Sequence, residues 1–211
     1  MPNQNGNMYG LTILSPIIDG PKIGISHDTA LRMYLQKMRR HEHSPFAKVP
    51  GTHICRLVVM DDVVFVGAPA REEHLKSKYL IFNSNFYGPL DEYLAGMARQ
   101  IPDVVDAIWS HCVGYSGCGN PSTFAAYMKK CQVETTFYFA DVNNKTVDQT
   151  LRALQRKVEF TAFIGENQGK SHAELQRAFA LFWERVQKMP LPPAGAKELR
   201  RGAISSEAAA V

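Results

Sequence analysis

Long apolar runs are missing from this chain. No stretch approaches the roughly 20 apolar residues that a helix needs to cross a bilayer, so no membrane partner is expected. Cysteine is scarce, with four in 211 residues. That is too few at this length for the disulfide framework of a secreted scaffold, and reduced thiols are expected at Cys55, Cys112, Cys118 and Cys131. The opening residues, MPNQNGNMYG, lack the charged and apolar regions of a secretory leader, and a cytoplasmic protein is the expectation. Neither charge sign dominates: 24 Lys and Arg face 20 Asp and Glu, a formal charge of +4. Arg39, Arg40, Lys197, Arg200 and Arg201 hold much of the excess in short clusters. They do not build the dense basic stripe of a nucleic-acid binder. A phosphate loop, a Rossmann glycine pattern and a nucleophile elbow are also absent, which weighs against ordinary nucleotide enzymes. No fixed-period repeat occurs.

The composition that remains is ordinary for a globular chain, with 45% hydrophobic and 21% charged residues. A core can be buried without disulfides or metals. Strands are predicted over 9–18, 52–60, 79–86 and 133–142, from β-branched and aromatic residues bounded by turn formers. Helical stripes separate them. Leu31, Tyr34, Leu35 and Met38 share one face of a helix capped by Asp28. Leu90, Tyr93, Leu94 and Met97 repeat that spacing after Pro89, and Pro102 interrupts and restarts the helix. Pro121 opens a short helix with Phe124, Tyr127, Met128 and Cys131 aligned. Asp61-Asp62 reads as a turn without a partner and receives no acid–base role.

The resulting order, β-α-β-β-α-β with a short helix before the last strand, is the ferredoxin-like order. The expected class is α+β: an antiparallel sheet with helices on one face and the other face uncovered. A second copy, as in dimeric α+β barrels, would cover that face. Additional C-terminal helices are expected from the capping pairs Thr146/Gln149 and Ser171/Glu174, with a short strand at Phe160 to Ile164 between them. A single domain thus spans 1–188. The Pro-, Ala- and Ser-rich residues 189–211 read as a flexible tail.

Two groups of residues point to chemistry. Strand alternation puts Ile54, Arg56, Val58 and Met60 on one face and His53, Cys55, Leu57 and Val59 on the other. One consistent assignment puts Arg56, Asn83, Asn85 and Tyr138 together on the uncovered face. An arginine there needs an anion, either a ligand carboxylate or an acidic residue of the chain, unless it reaches solvent. The second group is the run from Trp109 to Cys118, where His111 offers a ligand or proton shuttle and Cys112 and Cys118 offer thiols beside close-approach glycines. Its spacing matches no common zinc motif, and a helix cap followed by a turn is the alternative.

At Ser44-Pro45-Phe46, Gly51-Thr52-His53, Phe82 to Gly88 and His111-Cys112-Val113-Gly114-Tyr115 the chain resembles a group of bacterial proteins with ferredoxin-like sheets, discussed beside haem peroxidases. The resemblance spans roughly residues 9–160. The chain is also similar to the dimeric α+β barrel haem proteins, the dye-decolourising peroxidases and chlorite dismutase-like enzymes. Asn85-Phe86-Tyr87-Gly88-Pro89-Leu90-Asp91 stands where the former carry Gly-x-x-Asp-Gly, without the first Gly or the Asp-Gly pair. The resemblance implies a peroxidase-like oxidoreductase of a small-molecule substrate, working as a homodimer. Haem would be bound among His53, His111, Arg56, Asn83 and Asn85, with His111 or else His53 the metal ligand and Arg56, His111 and Tyr138 catalytic. The alternatives are a ligand-binding α+β barrel with no cofactor, or a non-catalytic partner protein.

Overall fold

A computed structural model describes residues 3–22, 24–64, 67–68, 71, 73–196 and 199. Two compact units make up the chain: residues up to Arg40 with Ser44–Lys145, and His41–His43 with the segment from Thr146 onward.

The first unit begins with a tight hairpin. Gly6, at φ 59, turns Gln4–Asn5 (β1) back onto Met8–Pro16 (β2). Only a residue without Cβ takes that backbone cheaply. A two-residue ladder, Pro21–Lys22 (β3) with Ile25–Ser26 (β4), leads into helix His27–Lys37 (α1). Ser26 occupies the cap position of α1, and the expected cap, Asp28, lies in the first turn. Thr52–Met60 (β5) and Tyr79–Tyr87 (β6) follow. Helices Leu90–Gln100 (α2), Pro102–Trp109 (α3) and Pro121–Lys130 (α4) then complete the unit's regular structure. Asn120 caps α4, its side-chain oxygen accepting from the Ser122 and Thr123 N–H groups.

The sheet is mixed with helices in an α+β arrangement. Its order is β1-β2-β6-β5, antiparallel throughout. Alternation along β6 sends Leu80, Phe82 and Phe86 inward and leaves Ile81, Asn83 and Asn85 on the outer face. Phe82 meets Trp109 edge-on, and Trp109 in turn meets Phe124, so one aromatic chain ties the sheet to α3 and α4. Each such fully buried side chain contributes about 1.5–3 kcal/mol of transfer free energy.

The expected strand over 133–142 does not form. Gln132 and Val133 touch β2 through the Ile13–Gln132 bridge and the bond from the Val133 N–H to the Thr12 carbonyl. Beyond that point the edge of β2 is taken: Gln4 and Asn5 pair with Tyr9 and Met8, and the Gly10 N–H donates to the Asn3 carbonyl. With no free ladder groups to bond, residues 134–145 leave the sheet edge.

The second unit contains Val147–Glu166 (α5) and His172–Lys188 (α6). Both expected caps are present: Thr146 and Gln149 exchange bonds, and the Glu174 carboxylate accepts from the Ser171 N–H and hydroxyl. Phe160 to Ile164, expected as a strand, continues α5, because the cap at Thr146 starts a helix that meets no proline or glycine before Gly165. Of the expected tail, residues 197–198 and 200–211 lie outside the described residues. Residues 189–196 are anchored where the Met189 and Pro190 carbonyls accept from Arg152 and Gln155, and where Ala196 is buried. No helix among the described residues is long and apolar enough to cross a membrane.

Candidate functional site

The outer face of the sheet is built from three cross-strand rows. Thr12, Asn83 and Arg56 form the middle row, and the Thr12 hydroxyl donates to Asn83 Oδ1 at 2.9 Å. Gly10, Asn85 and Ile54 form the row on one side, and Leu14, Ile81 and Val58 the row on the other. Arg56 is exposed and makes no ion pair or hydrogen bond among the described residues. Its guanidinium therefore stands as a free five-donor fork beside two asparagine amides.

Tyr138 joins this face by an indirect route. The chain leaves α4 along the edge of β2, is pinned where the Thr135 N–H donates to Asn3 Oδ1, and is pinned again where the Asn143 carbonyl accepts from the Asn7 N–H. Between the pins the Tyr138 ring lies flat against Gly10: a Cβ there would stand 2.7 Å from two ring carbons. Gly10 points outward, between inward Tyr9 and Leu11, so Tyr138 covers the outer face next to Asn85. Burial raises the Tyr138 phenol above its ordinary value of 10.0, which keeps it a donor at neutral pH. The structure thus brings Arg56, Asn83, Asn85 and Tyr138 onto one face.

His53 breaks the expected alternation. The register slips between Thr52 and Ile54, and His53 is the extra residue of this bulge. Burial lowers its pKa from 6.5, opposed by an interaction with the Lys145 backbone, and its Nε2 has no partner among the described residues.

His111 is elsewhere. It is buried past the end of α3, where its carbonyl accepts from the Ile18 N–H and its Nδ1 lies 3.2 Å from His27 Nδ1. One of the two nitrogens donates and the other accepts. The Arg56 row meets β2 at Thr12, six residues before Ile18, which is roughly 20 Å along an extended strand. Arg56 and His111 therefore stand at separate places along β2. Among the described residues no three of His, Cys, Asp and Glu gather as a metal site.

The glycine-rich run after α3 is organised by Asp106, which sequence reasoning missed. Its carboxylate accepts from the Tyr115 hydroxyl at 2.5 Å and the Cys118 N–H at 3.0 Å, and the Tyr115 bond leads the causes that lower its pKa. This is a structural turn. All four cysteines are free, and burial pushes the Cys112 thiol up to about 12 and Cys55 up to about 11.

Asp61 and Asp62 have partners after all. Asp61 pairs with Arg32 and, at 3.6 Å, with Lys78, which also holds the buried Asp28 at 2.7 Å. Asp62 accepts from His74 and from the Leu75 and Val63 N–H groups; the His74 bond leads in holding its carboxyl down to about 2. Apart from the adjacent Val63, these partners lie 12 to 50 positions away along the chain, so no local pattern announces them. The Asp28, Asp61 and Lys78 side chains border a cavity of about 540 Å³ beside Ile17 to Pro21, but they are spent on one another.

Comparison with family models, with curated proteins and with solved structures finds no match to the chain.

Proposed function

We propose that this chain binds a small organic anion on the outer face of its sheet, without a cofactor. The observation that carries the reading is Arg56: an exposed guanidinium with no acidic partner among the described residues, in one cross-strand row with Asn83 and next to the row of Asn85. A carboxylate fits the planar fork in two-point fashion. Asn83, Asn85 and the protonated Tyr138 supply further polar contacts, and Ile54 and Val58 flank Arg56 with exposed apolar surface. Sites of this make-up, a few polar groups amid apolar walls, are the usual form of small-molecule sites.

The same face favours a ferredoxin-like plan completed by a second copy. β2, α1, β5, β6 and α2 run in the β-α-β-β-α order, and the Ile13–Gln132 bridge marks the place of a fourth strand. Ile54 is 63% exposed, and a homodimer laid face to face would enclose Arg56 and its ligand. The peroxidase-like, haem-dependent reading stands below this one, because its anchors His111 and Arg56 are far apart along β2.

Titration calorimetry with benzoate, citrate and phosphate on the full chain and on Arg56→Leu tests the proposal. Binding of a carboxylate to the native chain, weakened at least about tenfold in Arg56→Leu, is expected. Melting should be unchanged, since an exposed unpaired side chain shifts stability by no more than about 0.5 kcal/mol. Equal binding by both proteins refutes the reading.

A further inference from the structure

The helical unit carries a second concavity, unrelated to the sheet face. It is a groove of about 630 Å³ between the C-terminal half of α5 and the N-terminal half of α6. Phe160, Phe163 and Ile164 line it from α5, and Leu175 and Phe179 from α6. These five recur at three- and four-residue spacings, so they form one continuous wall on each helix. Of its apolar side chains, the hairpin itself buries Phe163, Phe182 and Val186. Phe160, Ile164, Leu175 and Phe179 stay 39–46% exposed. Together they present roughly 300 Å² of apolar surface, the scale at which a patch on a protein is commonly functional.

The groove is chemically lopsided. Its turn end is polar: Asn167, Gln168, Lys170 and His172 line it there. No carboxylate lines it. Glu174, in the first turn of α6, is engaged by Ser171 and lies in the field of Lys170, whose ammonium it balances only through space. Lys170 Nζ donates to Asn167 Oδ1 at 2.6 Å, which fixes the ammonium and leaves it two more donors. A cation and amides at one end, and an aromatic and aliphatic trough behind them, match a molecule with an anionic head and an apolar tail. The size is that of a small-molecule site.

We infer that the α5–α6 groove binds an amphiphilic carboxylate of the fatty-acid class, its tail along Phe160, Ile164, Leu175 and Phe179 and its head on Lys170. The head is held by charge and by amide donors, and the tail by burial of the four half-exposed side chains.

Titration calorimetry with decanoate, below its micellar concentration, reads the groove on the full chain carrying Arg56→Leu, which removes the sheet-face carboxylate site proposed above. One decanoate per chain is expected, with decyltrimethylammonium at least about tenfold weaker. Lys170→Glu should weaken decanoate about tenfold or more, and Ile164→Asp, at an exposed position, should abolish it with the helical circular dichroism unchanged. Decanoate heats identical in both variants and their Arg56→Leu parent would overturn the inference. So would equal binding of the decyl cation, binding only to phosphatidylglycerol vesicles, or a dimer that takes no decanoate and dissociates on Ile164→Asp.

Discussion

Gly10→Ala tests the packing that places Tyr138 on the sheet. Gly10 has ordinary strand backbone, so alanine meets no conformational obstacle; the obstacle is contact. The added carbon would sit 2.7 Å from Tyr138 Cδ2 and Cε2 and 3.2 Å from Cζ, where carbon atoms rest at about 3.5–4.0 Å. The ring must lift. Overpacking of this kind costs about 1–3 kcal/mol. Replacing a strand glycine by alanine returns roughly 0.5–1 kcal/mol of backbone entropy. The net loss is therefore about 0–2.5 kcal/mol, or up to roughly 10 °C in melting temperature for a chain of this size. The decisive measurement is a double-mutant cycle followed by circular dichroism. In a Tyr138→Ala background the clash is gone, and Gly10→Ala should be neutral or stabilising, a coupling of about 1–3 kcal/mol. Carboxylate binding at Arg56 should weaken with Gly10→Ala as well, since Tyr138 leaves its place beside Asn85. An equal shift in both backgrounds, or none in either, would show that Tyr138 does not rest on Gly10.

Acid stability should report the Asp28–Lys78 pair. The Lys78 bond leads, with Ser26 behind it, in lowering the Asp28 pKa below 3.8. A depressed carboxyl contributes stability above its unfolded value and loses it as the pH falls through the folded one. The native chain should therefore lose more stability than Asp28→Asn between pH 7 and pH 3, read from urea midpoints; equal losses would refute the pair. Thiol footprinting checks the core beneath α4. With its pKa pushed up from 9.0 to about 12, Cys112 should alkylate roughly a thousandfold more slowly in the native chain than in urea. Equal rates would mean that it is not buried.

What could be read from the sequence follows the range of the forces involved. β5 runs from Thr52 to Met60 as expected, because alternation and flanking turns are local signals. The α5 and α6 caps were legible for the same reason: Thr146 and Gln149 are three residues apart. The grouping of Arg56, Asn83 and Asn85 followed from alternation once the strands were right. The strand at 133–142 failed because its place depends on which segment occupies the edge of β2, and a turn at Gly6-Asn7 settles that about 130 residues earlier. A Gly-Asn pair, with Gly first, is a hairpin signal that the composition of MPNQNGNMYG concealed. The bulge at His53 likewise depends on the partner strand, and Asp106 serves Tyr115 and Cys118 through a fold that a linear pattern does not encode.

The borders of the sheet bear on how the protein behaves in a crowded solution. Along β2, three separate stretches take successive places: Asn3 to Asn5, then Cys131 to Val133, then Cys112 and Val113 opposite Pro16 and Ile17. None is long, yet together they occupy the row of donors and acceptors that would otherwise recruit a strand from another molecule. On the opposite border, β5 opens with the bulge at His53, and its Val59 carbonyl accepts from Arg32. Bulges and edge charges are what natural sheets use against intermolecular pairing. The flat outer face can therefore stay open for a ligand or a second copy without making the rim a seed for fibres.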